Sequence, residues 1–218
     1  MLSPTPPTLS DGTKVVDLVN VNTREVQMRA LSDPELYELE MERIFGKIWV
    51  FLGHESEIPN SGDFVTRDMG SDSVLVTRDK SGEVHVLLNL CTHRGMRVST
   101  LDAGNTQIHT CIYHGWAFRP NGAFLGAPVE KETMHGKMMS KEELGLKKAR
   151  VTLYGGLIFA TWNIDGPSFE EFLGDAKWYY DILFKRTDKG MEVLGPPQRF
   201  TVRANWKAAG EQSAADGY

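Results

Sequence analysis

Cys91-Thr92-His93 and, after seventeen further residues, Cys111-Ile112-Tyr113-His114 place both of the chain's cysteines within three positions of a histidine. Two thiolates and two imidazoles delivered as mirrored pairs are a ligand set for two metal ions held side by side, or for one tetrahedral zinc. A chain carrying them must bring two loops to one point, and that demand limits the folds open to it. Cys91 follows the run Leu87-Leu88-Asn89-Leu90 and Cys111 follows Gln107-Ile108-His109-Thr110, so both pairs fall at hairpin tips. Arg94-Gly95 continues the first tip and Gly115-Trp116 the second; glycine admits positive φ and a close backbone approach that turns N–H groups toward sulfur. Zinc sites more often separate their first two ligands by about two to four residues, so the single residue in Cys-x-His disfavours zinc.

The flanking sequence has the pattern such tips need. Phe64-Val65-Thr66-Arg67, Val74-Leu75-Val76-Thr77 and Val84-His85-Val86-Leu87-Leu88 alternate with period two between Ser61-Gly62, Gly70-Ser71 and Lys80-Ser81-Gly82, which is a meander of hairpins. Pro120-Asn121-Gly122 turns Trp116-Ala117-Phe118 back on Ala123-Phe124-Leu125, and Leu157 to Trp162 reads as a buried strand. The β part therefore spans residues 47–163. Before it, residues 1–31 read as an extended arm, and Ser32-Asp33-Pro34 opens a helix ending near Gly46; together these make an N-terminal region of residues 1–46. After it, in residues 164–218, Phe169, Phe172, Leu173, Trp178, Tyr179, Ile182 and Leu183 recur at helical spacing. Glu192-Val193-Leu194 and Gln198 to Val202 return to a strand pattern, and Asn205 to Glu211 starts another helix.

Charge and composition narrow the function. A net charge of −5, with 24 Lys and Arg dispersed among 29 Asp and Glu, argues against a nucleic-acid surface. The start, Met1-Leu2-Ser3-Pro4, has neither the basic nor the apolar region of a secretory signal, and no apolar run reaches the length of a membrane span. No cysteine remains for a structural disulfide. The reading is a soluble cytoplasmic protein without a membrane partner. His54, His85, His109 and His135 lack a paired cysteine and are assigned no ligand role; His85, opposite the Val84, Val86 and Leu88 face, is expected at the surface.

Cys91-Thr92-His93-Arg94-Gly95 with Cys111-Ile112-Tyr113-His114-Gly115-Trp116 resembles the Rieske [2Fe–2S] signature. The resemblance implies a mainly β fold of stacked antiparallel sheets with two cluster-binding hairpin loops. It assigns Cys91 and Cys111 to one iron and His93 and His114 to the other. Arg94, Gly95, Gly115 and Trp116 then surround the ligands, with Trp116 packed under the second loop and Arg94 fixing the loop or docking a redox partner. A zinc-stabilised binding module is the bland alternative.

The end of the chain resembles a second pattern. Asn205-Trp206-Lys207, Glu211, Asp216 and Tyr218 match the opening of the α+β catalytic domain in the α subunits of Rieske ring-hydroxylating oxygenases. By that resemblance the chain is an N-terminal fragment, ending one residue before the first ligand of a mononuclear Fe(II), and inactive alone. Asp216 would bridge an iron-ligating histidine and, on a neighbouring subunit, the residue equivalent to His114. The implied partners are a ferredoxin or reductase drawing on NAD(P)H, other α subunits in a trimer, a small β subunit, O2 and an aromatic substrate. By the same resemblance Gln212 and Ser213 would line the substrate pocket, and serine where relatives carry phenylalanine would leave room for a polycyclic substrate. A standalone Rieske electron carrier is the rival reading; it has no need of the Asn205–Tyr218 tail.

Overall fold

The computed structural model describes residues 6–128 and 139–215. Two compact units are formed, one from residues 45–196 and one from residues 1–44 with 197–218.

In the larger unit the period-two runs become β4 (Asp63–Met69), β5 (Asp72–Arg78) and β6 (Val84–Leu88), joined as an antiparallel meander. The β4–β5 connection is a two-residue turn in which Gly70 has φ +62°, a sign that suits the right-handed twist of the flanking strands. β7 (Ala103–Asn105) pairs on the far edge of β4, giving the order β6-β5-β4-β7. Alternation sends Phe64, Leu75 and Leu87 to one side of this sheet and Val65, Val74, Val76 and Val86 to the other. Both sides are covered, so Val74, Leu75, Val76 and Thr77 of central β5 are all fully buried.

The first side faces a lobe built around β8 (His109–Thr110), β9 (Ala117–Phe118) and β10 (Phe124–Gly126), paired as β10-β9-β8. Trp116, Phe118, Phe124, Leu144 and Leu146 fill this core together with both cysteines. The second side packs on β12 (Leu157–Thr161), which lies between β11 (Arg150–Tyr154) and β3 (Val50–His54). β12 is buried along its whole length: Ile158 and Ala160 join the sheet core, while Leu157 and Phe159 meet Trp49 and Phe169. Phe169 belongs to α2 (Phe169–Leu173), which is capped by Ser168, and α3 (Lys177–Phe184) adds Tyr180 and Phe184 to the same cluster.

In the smaller unit the arm is not extended. It forms the hairpin β1 (Val19–Asn20) and β2 (Glu25–Val26) and buries Leu9, Leu18 and Ala30 with Leu36 of α1 (Pro34–Glu40). Asp33 caps α1 by accepting the Glu35 and Leu36 N–H groups, and Met41–Phe45 continues it as one π-helical turn. Residues 192–194 and 198–202 form no strand despite their composition. They are exposed and meet no sheet edge, and strand propensity without a pairing partner does not hold a strand. α4 (Trp206–Ala215) begins at the expected place.

Candidate metal centre

The sheet delivers the first loop and the β8–β9 hairpin the second. β6 ends at Leu88 and the chain enters Asn89, which is fully buried and brackets the first loop: its Nδ2 donates to Ser99 O (2.8 Å) and its Oδ1 accepts Ser99 N–H (2.9 Å). Thr92 Oγ1 donates to Leu144 O at 2.7 Å and ties the loop to the segment beyond β10. Neither residue stood out in the sequence. The available signal was a polar residue directly after an apolar strand, and its partners lie too far along the chain to read.

The two loops have the same backbone. In the first, Cys91 N–H donates to Met96 O (2.8 Å) and Gly95 N–H to Cys91 O (2.9 Å); in the second, Cys111 N–H donates to Trp116 O (2.8 Å) and Gly115 N–H to Cys111 O (2.9 Å). Gly95 and Gly115 have φ of +70° and +68°. Cysteine at the first position and left-handed glycine four residues later are therefore common to both turns. Only the histidine differs, leaving the turn from the third position at His93 and from the fourth at His114.

Both cysteines are buried and outside any disulfide. Burial pushes the Cys91 thiol above its ordinary range, against backbone N–H groups of His93 and Arg94 directed at its sulfur. Such a thiol loses its proton to a bound cation rather than to water. The His93 and His114 rings lie 4.7 Å apart, edge to face. Trp116, buried, stacks on His93 with centroids 4.7 Å apart and planes within 9°, so it supports the imidazole of the first loop as well as the backbone of its own. Tyr113 lies against His114, centroids 3.8 Å apart.

The donors fit a group larger than one ion. A tetrahedral zinc at about 2.0–2.3 Å from each ligand draws all four donors close together. Among the described residues, no three of these four bring their ligand atoms within 4.8 Å of one another. Buried sulfur on one side, imidazole on the other and N–H groups aimed at sulfur suit a two-iron cluster with one iron at each pair.

Arg94 and Gly95 are exposed at the first tip, and Ile112 (73% exposed) and Tyr113 (56%) cap the second. His54 and His109 are both buried; burial alone pushes His109 down to about 4, and its ring meets Phe64 edge-on. His85 is not at the surface as expected. Its side chain is largely covered and its Nε2 lies 2.9 Å from Asp79 Oδ2, because the tight turn at residues 79–83 folds that carboxylate back over β6. Gln212 and Ser213 lie exposed on α4. Asp216, Tyr218 and His135 fall outside the described residues.

Residues 48–148 match the Rieske [2Fe-2S] domain, which is the class that the fold and the paired loops define. The α subunit of biphenyl 2,3-dioxygenase from Rhodococcus jostii strain RHA1 is 44% identical over 204 residues, covering 94% of this chain and 44% of that one. The α subunit of an N,N-dimethyl phenylurea N-demethylase from Sphingobium sp. strain YBL2 is 45% identical over 85% of this chain and 40% of its own. Naphthalene 1,2-dioxygenase from Rhodococcus sp., solved with indole bound, superposes with a TM-score of 0.83 at 42% identity, covering 88% of this chain and 44% of that one. The chain therefore carries a Rieske [2Fe-2S] domain and is similar along most of its length to the large (α) subunits of Rieske non-haem iron oxygenases, ring-hydroxylating dioxygenases among them. It spans less than half the length of these relatives. Among the described residues, no helix is long and apolar enough to cross a membrane.

Proposed function

We propose that this chain is the electron-accepting part of an aromatic ring-hydroxylating dioxygenase α subunit, with Cys91 and Cys111 holding one iron of a [2Fe–2S] cluster and His93 and His114 the other. The reading rests chiefly on the two loops, which share one backbone scheme and converge their cysteines inside the core and their imidazoles outside it. When bound, such a cluster takes up and returns single electrons at potentials of roughly −150 to +300 mV. The chain's own residues set the surroundings. Apolar side chains exclude water from the sulfur side, backbone N–H groups of His93 and Arg94 favour negative charge on Cys91, and Trp116 fixes the plane of His93.

In this reading residues 1–46 form an arm and helix, 47–163 the cluster domain, and 164–218 a linker and the start of the catalytic domain. A cytoplasmic ferredoxin or reductase, fed by NAD(P)H, supplies electrons. In an enzyme of the relatives' length, His114 and Asp216 would lie between the cluster and a mononuclear Fe(II), which would supply the O2 chemistry on an aromatic substrate. α subunits assemble as trimers with a small β subunit, and Gln212 and Ser213 line the substrate pocket. Relatives of nearly equal identity named for ring dioxygenation and for N-demethylation make N-dealkylation the second reading. A standalone carrier is less well supported, because the likeness to long α subunits runs through 94% of the chain.

A visible spectrum of the purified protein tests the centre. A reddish-brown sample that bleaches on reduction is expected, and a colourless, zinc-loaded one overturns the reading. In an enzyme of the relatives' length, product analysis with naphthalene and a four-ring hydrocarbon, before and after Ser213→Phe, tests the pocket; an unchanged size preference removes Ser213 from it.

A further inference from the structure

The Asn205-Trp206-Lys207 motif lies in the smaller unit, and its contacts there show what it does. Asn205 starts α4: its Oδ1 accepts Lys207 N–H at 3.1 Å, and its carbonyl accepts Ala208 N–H at 3.0 Å. The next two side chains converge on Glu40, the last residue of α1. Trp206 Nε1 donates to Glu40 Oε2 at 2.8 Å, and the Lys207 ammonium donates to Glu40 Oε1. Glu40 is 8% exposed and is the one buried carboxylate among the described residues.

A carboxylate leaves water only where its oxygens are satisfied again, and here one takes a neutral donor and the other a cation. Glu40 lies one turn from buried Leu36 on the same helix face, where an apolar residue would complete the stripe. Immediately after it Met41–Phe45 winds as a π-turn, a rare distortion found frequently at functional places. Apolar residues would join two helices more simply. A buried charge, a cation and an indole N–H instead fix one direction of approach.

We propose that Glu40 is a positioning residue for electron delivery: it locks the first turn of α4, and thereby sets where the other end of that helix, leading into Asp216, is aimed. The inference rests on the oxygenase reading, in which Asp216 links the two metal centres. A helix is a stiff rod rising about 1.5 Å per residue, so a hold on its first turn governs its far end. A displacement of about 1 Å there is enough to slow a reaction about a hundredfold.

The test uses the cluster- and iron-loaded enzyme at the length of its relatives, as wild type, Glu40→Gln, Glu40→Asp and Trp206→Phe. Four measurements are compared: the visible spectrum, the cluster midpoint potential, amide exchange across residues 206–215, and O2-dependent reoxidation of the reduced cluster with naphthalene as probe. Glu40→Gln is expected to keep spectrum and potential, to raise exchange across α4, and to slow reoxidation about a hundredfold. Trp206→Phe, which removes one N–H and keeps a ring, does the same to a smaller extent, about tenfold, and Glu40→Asp recovers part of the rate. If Glu40→Gln does not fold, Trp206→Phe carries the test. Wild-type reoxidation in variants whose α4 exchange has risen reduces Glu40 to a stabilising contact and overturns the proposal, as does unchanged exchange. A wild-type protein without iron–sulfur absorbance instead fails the oxygenase reading itself.

Discussion

The two cluster loops share a backbone and differ in nearly everything outside it. Each closes with the same pair of hydrogen bonds and the same left-handed glycine. The first ends in exposed Arg94 with open space over Gly95; the second ends in Ile112 and Tyr113, with Pro128 against Gly115. The common part is what presenting a thiol inward and an imidazole outward requires. The different part offers solvent a cation at one tip and apolar side chains at the other.

Breaking the shared part carries the largest effect. Cys111→Ser or His114→Ala, and equally Cys91→Ser or His93→Ala, should abolish visible absorbance and iron content. Absorbance surviving any of the four would unseat that ligand. Trp116→Ala comes next, since it empties a buried ring site and removes the surface on which His93 stacks. A loss of about 3–5 kcal/mol is expected in urea unfolding, with a cluster that bleaches faster.

The glycines sharpen the contrast between the loops. Alanine at either faces an unfavourable positive φ, costing about 1–2 kcal/mol. At Gly115 the new Cβ also comes 2.7 Å from Pro128 Cγ, whereas at Gly95 nothing lies within 4 Å. Gly115→Ala should therefore be the more destabilising of the two, and equal unfolding midpoints would show that Pro128 yields. Thr92→Val tests the tie of the first loop to Leu144, with an expected cost of about 1 kcal/mol.

The turn at residues 79–83 is a tight turn organised by a carboxylate. Burial raises the Asp79 pKa, but hydrogen bonds from Ser81 and His85 and from the N–H groups of Ser81 and Glu83 outweigh it and hold the group at about 2 against an ordinary 3.8. The folded state thus binds its proton less readily than the unfolded one. Its contribution is complete above about pH 4 and disappears as pH falls toward 2. Acid titration of unfolding should show Asp79→Asn losing that slope, while Gly95→Ala keeps it.

Much of this was legible because its causes are local. Alternation in 64–88 gave the meander, Pro120-Asn121-Gly122 the β9–β10 turn, and the glycines after each Cys/His pair the shape of the tips. What stayed hidden depends on partners remote in sequence. Asn89 and Thr92 look ordinary until Ser99 and Leu144 are beside them, and Glu40 looks like a solvated helix charge until Trp206 and Lys207 arrive. His85 was misread because alternation assigns a face and says nothing of a carboxylate folding over it. Residues 192–194 and 198–202 have strand composition but no neighbour to pair with.

β5 gives Leu75 to the core that contains both cysteines and Val74 and Val76 to the core beneath. A strand shared in this way leaves no seam along which the lobe bearing the loops could melt alone. Heat should take the unit of residues 45–196 apart in one transition, and Val76→Ala should lower the temperature at which the colour fades.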